Sequence, residues 1–288
     1  MKWCLEEQNA QYSIVDGAKI NMIKELLKTS INKPFVLFDT ETTWICELPD
    51  WWQYNWELIQ IAYKNQKTWE IYENKYVPKI PLTNWWVCTH WITYKKLENY
   101  KWIDKKEIDK LSKAFEDSIL IAHNIDFDFK VIEDSWISFN NAVYIDTLTL
   151  AKYIQAEVDN DDIQWSSKLG FLSYALLDWE HFEKLWIDIK LHDALSDVIV
   201  LEEVFFALVQ MYMELYEIEI NELWIRRAMK EIITMSREWF VMKKFPYWKY
   251  EWVPIDDIND DGYFKRILKT WTFWKNEIKT AKYKLWLS

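Results

Sequence analysis

Apolar and polar positions along this chain follow an order that predicts a sheet begun early and helices laid against it afterwards. Residues 18–29 (AKINMIKELLKT) have helical spacing and predict a lead-in helix. PFVLFDTE (34–41) is an apolar run ending in acids, the pattern of a buried strand. ELIQIAYKN (57–65) and KTWEIYENKYV (67–77) alternate with a period near two, which predicts an opening three-stranded meander. Helical periodicity takes over in KKEIDKLSKAFEDS (105–118). SILIAHN (118–124) reads as a short strand with a polar end, and DFDFKVIEDS (126–135) as a helix. YIDTLTLAKYIQA (144–156) begins extended and becomes helical. SSKLGFLSYALLD (166–178) and the long HDALSDVIVLEEVFFALVQMYMEL (192–215) complete the pattern. Strands and helices in this alternation predict an α/β fold with a mixed sheet.

The body spans 1–217, with its core at 33–215. A linker helix is expected over 218–235 and a small basic, aromatic C-terminal module over 236–288. No internal repeat or low-complexity segment interrupts the chain.

Composition changes the picture at one point. The 288 residues include 21 Trp and only 3 Gly, where an average chain has roughly 7% Gly. An AT-rich genome accounts for scarce glycine and gives no reason for abundant tryptophan. The tryptophans also fall where glycine is favoured. Trp136 follows the helix ending DS, Trp179 follows ALLD, and Trp91 and Trp102 sit in the connections THWIT and YKWI. Such C′ and turn positions use the left-handed conformation, which glycine adopts without a Cβ penalty. The pattern predicts that UGA codons written as Trp are read as Gly in the source organism.

Net charge is −11, unevenly spread. Residues 1–217 carry 21 Lys, no Arg and 36 acids, whereas 218–288 carry 14 Lys plus Arg and 10 acids. The acidic body argues against an extended electrostatic footprint on nucleic acid, and the basic end keeps that option open locally. Cys4, Cys46 and Cys88 have no C-x-x-C spacing, so neither a disulfide framework nor a zinc site is indicated. No apolar run approaches the ~20 residues of a membrane span, and the N-terminus lacks a signal-peptide pattern. A cytoplasmic chain with no membrane partner is expected.

Three segments place acids at element ends. Asp39 and Glu41 are two apart in a strand, so both carboxylates can approach one cation. His123-Asn124-x-x-Phe127-Asp128 hands a strand's polar end to a helix whose first turn presents Asp128, where the helix dipole also favours an acid. His192 and Asp197 lie in adjacent turns near the start of the long helix, within reach of one cleft. Asp126 and Asp193 read as surface charges, and Asp146 as structural.

Together and in this order, F-D-T-E-T-T, A-H-N-x-x-F-D and H-x-A-L-x-D resemble the three motifs of the DEDDh 3′–5′ exonuclease family. That family includes the proofreading epsilon subunit of bacterial DNA polymerase III and ribonuclease T. The resemblance covers roughly 33–215, with I-D-T-L (145–148) and T-H-W-I-T (89–93) also matching. Trp44 and Trp91 occupy its glycine positions. The resemblance implies a ribonuclease H-like mixed five-stranded sheet flanked by helices. It implies that Asp39, Glu41, Asp128 and Asp197 bind two Mg²⁺ or Mn²⁺ ions, which want carboxylate oxygens. His192 is implied as the general base, since its ordinary pKa lies near neutrality. Thr42, Thr43 and His90 match positions near the 3′-terminal nucleotide.

The expected function is metal-dependent removal of nucleotides from nucleic-acid 3′ ends, DNA ahead of RNA, in proofreading or repair, with a DNA polymerase as a further partner. An RNA-trimming exoribonuclease uses the same site. From a different class comes a non-catalytic nucleic-acid-binding subunit of a polymerase complex, and the filling of all five catalytic positions argues against it. In the tail, FPYWKYEW (245–252) resembles an appended module F-P-Y-G-K-Y-x-G, with Trp248 and Trp252 at its glycines. Between Tyr263 and Ser288 seven basic residues face one acid, interleaved with Tyr263, Phe264, Phe273 and Tyr283. That mixture suits single-stranded nucleic acid, while the favoured reading packs the aromatics on the module's own core.

Overall fold

The acid-tipped run FVLFDTET forms the central strand of a mixed sheet. The computed structural model describes residues 15–43, 57–80, 82, 87–88, 90–157, 166–177, 192–237, 250, 253–269 and 275–287. Strands β1 (Phe35–Thr42), β2 (Leu58–Asn65), β3 (Ile71–Lys75), β4 (Ile119–Ala122) and β5 (Val143–Asp146) lie in the order β3-β2-β1-β4-β5. The first three form the expected antiparallel meander, with Asp39 opposite Ala62 and Glu41 opposite Gln60. The last two run parallel to β1, with Leu37 opposite Ile121. A central strand is covered on both faces, which explains why Phe35 to Phe38 are uninterruptedly apolar and buried.

Alternation along the strands divides the core in two. Phe35, Leu37, Ile119, Ile121 and Ile145 face one layer of helices: α1 (Gly17–Ser30), α5 (Thr147–Glu157), α6 (Leu169–Leu176), α7 (Ala194–Leu215) and α8 (Glu222–Arg237). Val36, Phe38, Leu120 and Ala122 face the other, with α3 (Lys105–Phe115) and α4 (Ile125–Asp134). A short α2 (Tyr94–Leu97) sits beside Ile59 and Ile92 in a satellite cluster. Helix starts follow acidic caps: Asp16 accepts the Ala18 N–H at 2.8 Å and Asp104 the Glu107 N–H at 2.9 Å.

One element departs from expectation. The helix read as a linker over 218–235 is α8, which buries Ile225, Ala228, Met229 and Ile232 in the main core beside α7 and α1. The Ser236 hydroxyl accepts the Asp146 N–H at 3.0 Å, tying α8 to the end of β5. Its one apolar stripe has to be covered, and the sheet's helical layer covers it.

The C-terminal residues carry a small core of their own. A 3₁₀ turn (Ile255–Asp257), α9 (Asp261–Lys269) and α10 (Lys275–Leu287) enclose Ile255, Ile258, Tyr263, Phe264, Ile267 and Ala281. Tyr263 and Phe264 are therefore packing residues, in line with the favoured reading, whereas Tyr283 is exposed. Phe273, Trp248, Trp252 and the stretch 245–249 lie outside the described residues, as do Trp44, Trp179, Cys4 and Cys46. Cys88 is a free, exposed thiol. Among the described residues no helix is long and apolar enough to cross a membrane.

Among the described residues three tryptophans hold left-handed backbone: Trp69 (φ 60°), Trp91 (φ 55°) and Trp136 (φ 63°). Trp136 occupies C′ of a Schellman motif after α4, with its N–H on the Glu133 carbonyl and the Ile137 N–H on the Ile132 carbonyl, each at 2.9 Å. The Trp91 N–H closes on the Val87 carbonyl at 2.8 Å, and Trp69 ends the turn between β2 and β3. All three side chains are largely exposed, Trp136 by 83%. Trp102 is exposed too but does not adopt positive φ, against expectation. The glycines Gly17, Gly170 and Gly262 all sit in helices, and none of them has positive φ.

Candidate active site

Asp39 and Glu41 share the β1 face that packs on α7, as their period-two spacing dictates. The start of α7 meets them there. Asp193 caps the helix, Asp197 stands in its first turn, and His192 precedes it in left-handed backbone at φ 60°. The His192 backbone N–H bonds to the Asp197 carboxylate. Ligand atoms of Glu41, His192 and Asp197 lie within 4.8 Å of one another.

Asp128 arrives from the opposite side of the sheet. Strand β4 stops at Ala122, and Asn124 turns the chain into α4 through left-handed backbone (φ 69°), which Asn tolerates. The Asn124 N–H is held by Asp146 Oδ1 at 2.9 Å, and Asp146 also takes the Leu148 N–H and the Thr149 hydroxyl. Asp146 is thus the structural clamp expected. It fixes the turn that places Asp128 in the first turn of α4, where Asp128 is 2% exposed. Thr40 Oγ1 donates to Asp128 Oδ1 at 2.7 Å.

Burial and mutual repulsion govern these acids. Burial holds Asp39 well above the ordinary carboxylate range, with Asp128, Asp197, Glu41 and Asp193 adding to it. Glu41 is raised well above its ordinary value by burial and then by Asp197, Asp128 and Asp193. Burial pushes Asp128 and Asp197 up to about 7, hydrogen bonds from Thr40 opposing it at Asp128. Buried carboxylates whose charged neighbours are further carboxylates form a donor set that a hard divalent cation fits.

A carboxyl whose pKa is higher folded than unfolded favours folding in its protonated form. For Asp128 and Asp197 that contribution is full below about pH 4 and is lost as pH rises through about 7. The metal-stripped protein should therefore melt at falling temperature across this window. Mg²⁺ or Mn²⁺ should raise the melting temperature clearly at pH 8 and little at pH 5. Melting scans in EDTA and in each metal check this; equal metal effects at the two pH values would contradict it.

His192 is exposed beside Glu41 and Asp197, and partial desolvation lowers its pKa from the ordinary value. His90 is 3% exposed. Its Nδ1 accepts the Ile92 N–H at 2.9 Å, which leaves the proton on Nε2. That Nε2 is buried without a partner among the described residues. Burial, then the charge of His192, lowers His90 to about 4, placing it in the same electrostatic neighbourhood. Thr42 and Thr43 are buried at the end of β1. Thr43 Oγ1 accepts the Glu57 N–H at 3.1 Å and so closes the chain onto the start of β2.

Three contributors were not legible as such. Asp193, read as a surface charge, caps α7, takes the Gln60 amide at 3.1 Å and pairs with Lys75 at 3.7 Å. Gln60 stands opposite Glu41 with its amide shared between Glu73 and Asp193. Thr40 reads in the sequence only as the residue between two acids. The signal for Asp193 was present, since an acid three residues before Ser196 at a helix start is an N-cap.

A family model described as RNase_T, exonuclease, matches residues 36–205, more than half the chain. No curated protein matches the chain. Among solved structures, exonuclease X in complex with 5′ overhanging duplex DNA is similar at 16% identity and TM-score 0.42, over 67% of this chain and 98% of that one. Exonuclease I from Methylocaldum szegediense is similar at 17% identity and TM-score 0.48, over 69% of this chain and 45% of that one. S. pombe Pop2p in its Mg²⁺- and Mn²⁺-bound form is similar at 14% identity and TM-score 0.44, over 72% and 92%.

Proposed function

This chain belongs to the RNase_T exonuclease family, and on that footing we propose that it removes nucleotides from the 3′ ends of DNA, in proofreading or repair, by phosphodiester hydrolysis. The observation that carries the proposal is the convergence of four acids at one strand end: Glu41 and Asp197 lie with His192 within 4.8 Å, and Asp39 and Asp128 share their electrostatic neighbourhood.

Those four acids would hold two Mg²⁺ or Mn²⁺ ions, which supply charge stabilisation for the attacking and leaving oxygens of an in-line displacement. The remaining chemistry belongs to the chain. His192 is exposed beside Glu41 and Asp197 with its pKa lowered from the ordinary value, and so can accept the proton of the attacking water. The His192 backbone N–H meanwhile steadies the Asp197 carboxylate one turn into α7. His90 is fixed as an Nε2–H donor by Ile92 and would turn that donor to the terminal nucleotide, with Thr42 and Thr43 at the end of β1 as further candidates.

The test is a 5′-labelled single-stranded DNA and a matched RNA incubated with the protein in Mg²⁺ or Mn²⁺ and in EDTA. A ladder that shortens from the 3′ end and vanishes in EDTA is expected, stronger on DNA. Preferential shortening of RNA would assign the protein to RNA trimming instead. A folded protein that binds both strands and cuts neither would leave a binding subunit, with co-purification of a polymerase as the next measurement.

A further inference from the structure

We propose that Thr40 is a positioning residue for the cation site: its hydroxyl holds Asp128 against the edge of β1, bringing to Asp39 a carboxylate that comes from the far face of the sheet. The proposal rests on the metal-dependent nuclease reading above.

The topology sets the problem that Thr40 solves. Asp39 and Glu41 point to the α7 side of β1, with Leu37, whereas Thr40 points with Val36 and Phe38 to the α4 side. Asp128 belongs to α4, whose Val131 and Ile132 pack on that second face. A cation site built from all four acids therefore draws on both faces of one strand. It can close only past the point where the neighbouring strand has ended. Pairing between β1 and β4 stops at Leu37 and Ile121, and β4 itself ends at Ala122. The edge of β1 is open beyond that point, and an open buried edge needs partners for its N–H groups.

Asp128 supplies the partner. Its Oδ1 accepts the Thr40 hydroxyl at 2.7 Å, and its carboxylate also takes the Thr40 backbone N–H. Thr40 is 4% exposed, so water does not compete for the hydroxyl. A charge-assisted bond of this kind is among the stronger ones available to a neutral donor. It also fixes an acid that could otherwise turn away from its like-charged neighbours. The strand's period of two thus gives the residue between Asp39 and Glu41 its role: two acids face the site from one side, and the hydroxyl between them reaches round to fetch the third.

Thr40→Val keeps the shape and removes the donor, while Thr40→Ser restores a hydroxyl. Titration of each protein with Mn²⁺, read by calorimetry and by the electron paramagnetic resonance of free Mn²⁺, measures metal binding without any turnover. We expect Thr40→Val to bind Mn²⁺ about tenfold more weakly at one of two equivalents, the lower end of the effect of removing a group that orients a metal ligand. Thr40→Ser should recover most of that loss. A Thr40→Val protein that melts lower but binds both equivalents as the parent does would assign Thr40 to stability alone and overturn the proposal. Tighter binding by Thr40→Val would overturn it as well, because the hydroxyl would then be withholding Asp128. If the parent itself binds no Mn²⁺, the metal-dependent reading fails first and takes this proposal with it.

Discussion

Asp39→Asn is expected to reduce 3′-end hydrolysis on the order of a thousandfold or more, the scale on which removal of a charge-stabilising group at a reaction centre acts, while leaving the metal-free protein at least as stable as before. The two halves come from one cause. Asp39 is held far above the ordinary carboxylate range by burial, and Asp128, Asp197, Glu41 and Asp193 all push it the same way. At pH 8 without a cation, keeping that group ionised opposes folding, and a neutral amide of the same shape removes the opposition. With a cation, the same carboxylate is wanted, and the amide is a poor substitute for it. Melting scans in EDTA and the strand-shortening assay, run on one preparation, separate the outcomes. Activity within a few fold of the parent would remove Asp39 from the site. Lost activity with a large fall in melting temperature would show a folding defect and leave Asp39 without a catalytic role.

Glycine at positions 69, 91 and 136 together is expected to raise the melting temperature on the order of 10 °C. Left-handed backbone costs an L-residue roughly 1–2 kcal/mol, and a bulky aromatic there is an outlier even among residues with positive φ. Asp117, Asn124, Asn141, His192 and Glu217 also adopt it; Asp and Asn are tolerant types, and neither His192 nor Glu217 carries a side chain as bulky as an indole. The indoles give little back. They are 57%, 65% and 83% exposed at positions 69, 91 and 136. The nearest compensation is at Trp69, where the Lys28 ammonium lies 4.2 Å from the ring centroid, a contact worth about 0.5–1 kcal/mol at an exposed site. Three positions then gain roughly 2–5 kcal/mol net, and each 1 kcal/mol moves the melting temperature of a chain of 150–250 residues by about 2–4 °C. Trp102→Gly is the control, exposed but without positive φ, and no gain is expected from it. A triple variant melting at or below the parent would defeat the argument. Codons reading UGG at these three positions would defeat the companion inference that the organism inserts glycine there. That inference draws strength from the Schellman bonds around Trp136 and from the three glycines lying in helices.

Trp91 links the two predictions. It follows His90 directly, and His90 carries an Nε2–H without a partner among the described residues, in the electrostatic neighbourhood of His192. Strain at position 91 therefore bears on the backbone that positions a residue of the proposed site.

The sequence by itself determined what depends on neighbours along the chain. Periodicity gave the five strands and the longer helices of the body within a few residues, because one face of each element must be apolar whatever it packs against, whereas the four-residue α2 was too short to show a period. The spacing of Asp39 and Glu41 placed two carboxylates on one side of a strand, and the Schellman position of Trp136 followed from the helix before it. The tertiary structure alone decided which elements meet. The helix expected as a linker over 218–235 shows the limit: an apolar stripe requires a partner, and no local pattern says that the partner is the layer of α1 and α7. The same limit hid Asp193, whose cap is local but whose bonds to Gln60 and Lys75 join strands more than a hundred residues away. It hid Thr40 as well, since its role exists only because β4 ends early and α4 brings Asp128 to the open edge of β1. Local pattern fixes the face a residue points to, and long-range pairing, costly in chain entropy and specified by the packing of the whole core, fixes what it finds there.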